Sequence, residues 1–130
     1  MLVLDASLVV GAAAGEQGDQ ELPDDDLVAP PLLWPEARSV LHVLKWRGDL
    51  SAAVADAALR RLPAFPIQVR QPQRLGEAAW AVADEFGWAK TYDAEYIALA
   101  RILGCRLVTA DARLRRGADR LGFVVGPTEL

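Results

Sequence analysis

Residues 91–114 read TYDAEYIALARILGCRLVTADARL. After Asp93, the apolar side chains Tyr96, Ile97, Leu99, Ala100 and Leu103 recur at helical spacing, and Gly104 is placed to end that helix. Cys105 to Thr109 follows as an apolar run of strand length, and Asp111 opens a basic helix, DARLRRGADRL. Helix, strand and helix in close succession are the signature of an α/β chain with a mainly parallel sheet, whose ligands bind beyond the C-terminal strand ends. An acid therefore stands just past the end of a buried strand.

The N-terminus repeats the pattern. Leu2 to Leu4 is a short apolar run ended by Asp5-Ala6-Ser7, and Leu8 to Ala14 suits a short helix. Residues 15–26, GEQGDQELPDDD, are polar and read as a mobile loop or frayed turn, with Asp24-Asp25-Asp26 as a solvated acidic run. Val28-Ala29 leads into Pro30-Pro31. The stretch from Leu32 to Trp46 then carries Leu33, Ala37, Val40, Leu41 and Leu44 at helical spacing until Gly48. Pro35 is tolerated only in the first turn of such a helix, so Glu36 lies in that turn too, where the helix dipole favours negative charge. A second helix is expected from Asp49-Leu50-Ser51 to about Leu62. Pro63 to Pro66 breaks it, Ile67 to Arg70 reads as an edge strand, and a third helix spans Pro72 to Phe86 with Gly87 as its cap. Gly122 to Val125 is the last strand.

Bulk properties bound the alternatives. A chain of 130 residues suits a single domain over 1–130. No apolar run reaches the roughly 18 residues that span a bilayer, so no membrane association is expected. The opening Met1 to Leu4 is too short for a signal-peptide core, and the single cysteine, Cys105, has no disulfide partner, which reads as a cytoplasmic protein. The net charge of −4 excludes binding of nucleic acid by bulk electrostatics, so any such contact is local.

Asp5, Glu36, Asp93 and Asp111 thus fall at strand ends or helix starts that one crevice can gather. Clustered carboxylates repel unless a cation neutralises them, and magnesium, with manganese as a substitute, prefers such hard oxygen ligands. One or two of these carboxylates as ligands beside a substrate phosphate, with the remaining acids orienting water, suit phosphodiester hydrolysis. Taken singly each acid is also an ordinary helix cap or dipole partner; their joint placement carries the reading. Thr109 is placed to touch a phosphate or a metal-bound water, and Ser7 to cap the first helix. Arg113, Arg115, Arg116 and Arg120, with Lys45 and Arg47, read as solvated faces or as a basic rim that guides a polyanion, Arg113 being the candidate phosphate contact. Trp34, Trp46, Trp80 and Trp88 read as core or interface. The lone His42 has no zinc or triad partner in sequence, and Cys105 reads as core.

These residues resemble PIN-domain ribonucleases, specifically toxins of the VapC type. The resemblance is carried by LVLDAS (2–7), by AP-x-LLWPE (29–36), by TYDAEYIALARILG (91–104) and by RLVTAD-x-RL (106–114); residues 40–90 match only in pattern. It implies a three-layer α/β/α fold and a metal-dependent endoribonuclease activity. It also implies a cognate VapB-type antitoxin whose tail enters the acidic groove, and a homodimer. Asp5 and Asp93 match the family's metal-binding aspartates, Glu36 and Asp111 its other two acidic positions, and Thr109 the hydroxyl residue before the last aspartate. Val40 stands where relatives often carry a polar residue. Two other readings stay open: a PIN-fold module that binds RNA or protein without catalysis, and a receiver-like magnesium switch.

Overall fold

Most strands of this protein are only three residues long, and the central ones are buried between covering layers. The computed structural model describes residues 1–15 and 21–130. Its elements are β1 (Leu2–Leu4), α1 (Ala6–Ala14), β2 (Leu27–Ala29), α2 (Leu33–Arg47), α3 (Ala52–Arg61), β3 (Ile67–Val69), α4 (Leu75–Phe86), α5 (Tyr92–Leu103), β4 (Arg106–Val108), α6 (Ala112–Gly117) and β5 (Val124–Val125). All strand pairs are parallel, in the order β3-β2-β1-β4-β5.

The order reverses at β1: the chain first moves outward through β2 to β3, then returns to lay β4 and β5 on the other side of β1. Right-handed crossovers in opposite directions put helices on both faces, the three-layer α/β/α arrangement. Alternate strand residues serve the two faces. Val3, Val28, Leu107 and Val124 join the larger buried cluster, which draws on α1, α2, α4 and α5. Leu2, Leu4, Leu27 and Val108 form a smaller one. The adjacent β1 and β4 diverge in their connections, and that switch point leaves a crevice beyond their C-terminal ends.

Most expected elements stand where the spacing put them, with β3 at the sheet edge. Gly104, at φ 66°, ends α5 in the left-handed conformation that the turn into β4 requires. Three differences have physical causes. Residues 27–29 form an additional strand, β2, held between β1 and β3. α4 begins at Leu75 rather than Pro72, since Pro72 heads a turn whose carbonyl accepts from the Leu75 N–H at 3.0 Å. The basic segment breaks after Gly117 and continues as a single 3-10 turn, Asp119–Leu121. Of the loop expected over 15–26, residues 16–20 lie outside the described residues. Among the described residues no helix is long and apolar enough to cross a membrane.

Candidate active site

The crevice at the β1/β4 switch point is an open cleft of about 1010 Å³, and Asp5, Glu36, Asp93 and Asp111 all line it. β1 delivers Asp5 directly, and β4 delivers Thr109 and Asp111. The first turns of α2 and α5 deliver Glu36 and Asp93. Lining the same cleft are Ser7, Trp88, Lys90, Tyr92 and Arg113.

Asp5 is the most deeply held acid, 5% exposed. Its Oδ1 accepts from the Ser7 hydroxyl at 2.6 Å and its Oδ2 from the Thr109 hydroxyl. Thr109 in turn accepts from the Asp111 N–H at 3.0 Å, and Ser7 from the Ala110 N–H at 3.0 Å. The hydroxyls therefore tie the loop after β4 to the end of β1. This corrects one expectation: Ser7 lies inside α1 and holds Asp5 rather than capping the helix. Thr109 is buried at 2% exposure, and its hydroxyl donates to Asp5.

Burial pushes the Asp5 carboxyl above the ordinary carboxylate range; the Ser7 and Thr109 donors oppose the shift, and the charge of Asp111 adds to it. Burial likewise raises Glu36, against the Tyr96 hydroxyl, with Asp93 and Asp5 contributing. Asp93 is raised by burial, against the charge of Arg113, with Asp111 contributing. Three carboxyls strained in the same direction mark a cleft that favours added positive charge.

Part of that charge comes from the chain itself. A guanidinium nitrogen of Arg113 lies 3.2 Å from Asp93 Oδ2 and 3.8 Å from Asp111 Oδ2. The remaining oxygens are hard donors of the kind magnesium takes. Among the described residues, however, no three His, Cys, Asp or Glu side chains converge as a ready-made cage. That spacing suits an ion that keeps several of its waters and is reached by some of the carboxylates only through them, rather than one enclosed by protein.

The basic rim is narrower than the sequence suggests. Arg115 is bound to Asp119 and Glu129, Arg120 lies over the Phe86 ring 4.3 Å from its centroid and beside Glu85, and Lys45 pairs with Asp56. Arg113 and Lys90 are the cations that line the cleft. Lys90 carried no sequence signal beyond its place before Asp93. Of the tryptophans, Trp34 and Trp88 pack partly against the core, and Trp88 stacks on Phe86 while lining the cleft; Trp46 and Trp80 are exposed.

Residues 2–120 match the family described as PIN domain. The chain is 35% identical over 115 residues to VapC ribonuclease Mb0985 of Mycobacterium bovis and to ribonuclease VapC9 of Mycobacterium tuberculosis, covering 88% of this chain and 88% of each relative. It is also 35% identical over 119 residues to ribonuclease VapC1 of Mycobacterium tuberculosis, covering 86% of both. The crystal structure of PAE2754 from Pyrobaculum aerophilum shares the fold, with a TM-score of 0.70 at 23% identity over 98% of this chain and 90% of that one.

Proposed function

The chain belongs to the PIN-domain family, and from that premise we propose that it is a magnesium-dependent endoribonuclease, the toxin of a VapBC-type pair. The observation that carries this reading is the gathering of Asp5, Glu36, Asp93 and Asp111 in one cleft at the sheet's switch point.

In the proposed mechanism Asp5, Asp93 and Asp111 hold Mg²⁺, or Mn²⁺ in its place. The bound cation supplies positive charge at the scissile phosphate and lowers the cost of deprotonating water. Ser7 and Thr109 fix the Asp5 carboxylate so that its geometry is set before substrate arrives. Glu36 orients the attacking water. Arg113, whose guanidinium lies beside Asp93 and Asp111, is long enough and exposed enough to turn outward to a phosphate. Lys90 adds local attraction in a chain whose net charge of −4 supplies none overall. We further assign it a VapB-type antitoxin, an RNA substrate, a homodimeric form, a single domain over 1–130 and a cytoplasmic site of action. Incubation of purified protein with structured RNA tests the reading: cleavage that requires Mg²⁺ or Mn²⁺ and stops on chelation supports it, and cleavage indifferent to chelation refutes it.

A stability measurement gives an independent check. Burial raises the Asp5, Glu36 and Asp93 carboxyls, so the fold binds their protons more tightly than the unfolded chain does. Their contribution is fully favourable below the ordinary carboxyl range of about 4 and is lost as pH rises through the raised values. A divalent cation compensates only where the carboxylates are ionised. Saturating Mg²⁺ at 100 times its dissociation constant contributes about 2.7 kcal/mol, so melting at pH 7.5 should rise by about 10 °C. At pH 4 the rise should nearly vanish. An equal rise at both pH values would place the ion elsewhere.

A further inference from the structure

Tyr96 is the largest fully buried side chain in the protein, yet it ends in a polar atom. Its ring belongs to the main core, and its hydroxyl donates to Glu36 Oε1 at 3.1 Å. Tyr96 stands three residues after Asp93, so α5 turns both side chains to the same side. One helix thus presents a carboxylate to the cleft and, one turn deeper, a donor to the carboxylate of another helix.

Glu36 needs such a donor. Its side chain has several rotatable bonds and stands at the cleft wall, and among the described residues no other hydrogen bond engages its carboxylate. A flexible glutamate held at one oxygen by a group that is itself locked in the core becomes a fixed acceptor. The phenol keeps its proton, because burial and the Glu36 charge both push its pKa up. We propose that Tyr96 is a positioning residue for the ribonuclease reaction: its hydroxyl pins one Glu36 oxygen and leaves the other to accept from the attacking water. The inference rests on the reading of the cleft as a ribonuclease site. A bland role, in which the hydroxyl merely takes the nearest acceptor to satisfy burial, makes different demands on kinetics.

Tyr96→Phe keeps the ring and deletes only the donor. A displacement of about 1 Å in a catalytic group costs up to about 10²-fold in rate, so kcat for RNA cleavage should fall roughly tenfold with KM unchanged within about twofold. The discriminating step repeats the substitution in a Glu36→Ala protein. If Tyr96 acts through Glu36, Tyr96→Phe there adds no further loss, a non-additivity that a general packing defect does not produce. An unchanged kcat in Tyr96→Phe, or the same fold-loss with and without Glu36, overturns the inference while leaving the ribonuclease reading intact. Absence of any cleavage by the unmodified protein overturns both. Circular dichroism and melting of each variant identify loss by unfolding, and Tyr96→Leu, which deletes the donor in a smaller apolar side chain, supplies the second variant should Phe not fold; it must show the same dependence on Glu36.

Discussion

Asp5→Asn and Asp93→Asn proteins should fold and should lose RNA cleavage by roughly 10³-fold. Charge stabilisation by a held cation is worth several kcal/mol in the transition state, and about 1.4 kcal/mol is a factor of ten. The folding side of the ledger is small for different reasons at the two positions. At Asp5 the amide offers one acceptor where the carboxylate offered two, so either Ser7 or Thr109 must reorient; against that, the cost of burying a charge disappears. At Asp93 the lost partner is Arg113, an exposed guanidinium whose ion pair is worth about 0–1 kcal/mol, together with a modest helix-dipole contribution. Melting in chelator should therefore stay close to that of the unmodified protein, while the rise on adding Mg²⁺ shrinks with the activity. Full activity in both variants would remove the cation from the mechanism.

Much of this arrangement is legible in the chain because the relevant residues sit at element boundaries. Gly104 and Gly48 announce helix ends through a conformation that other residues adopt at a cost, and an acid directly after an apolar run marks a strand end whatever the tertiary packing. What was hidden depends on partners distant in sequence. β2 has three residues between an acidic run and Pro30-Pro31, too few to show alternation, and its strand character comes from pairing with β1 and β3. Tyr96 satisfies the apolar pattern of α5, so nothing in the spacing reveals that its hydroxyl meets Glu36, 60 residues away. Nothing in the spacing shows that the parallel register of β1 and β4 brings Thr109 to the Asp5 carboxylate that Ser7 also engages. The basic helix overstates the charge available to a polyanion for the same reason: Arg115 and Arg120 are occupied by acids and an aromatic ring that only folding brings near. The receiver-like alternative also loses its ground, since residues 2–120 match the PIN domain family.

Asp111 has a structural duty beside the catalytic one proposed for it. Its Oδ1 caps α6, accepting from the Arg113 N–H at 2.9 Å and the Leu114 N–H at 3.3 Å, and its Oδ2 faces the Arg113 guanidinium in the cleft. α6 has only six residues, so its first turn depends on that cap, and the same turn carries Arg113. Asn is as good an N-cap as Asp, whereas Ala costs about 1 kcal/mol. Asp111→Asn should therefore melt within about 0.5 kcal/mol of the unmodified protein while cleavage falls about 10²-fold, the loss expected for one anionic ligand out of three. Asp111→Ala should lose the same activity plus about 1 kcal/mol of stability, and Asp111→Ser should recover the stability without the activity. Thermal melts and initial cleavage rates across the three variants decide the matter. If activity instead follows stability, with Asn and Ser both near normal and Ala impaired, Asp111 is a cap alone, and the cation is left to Asp5 and Asp93.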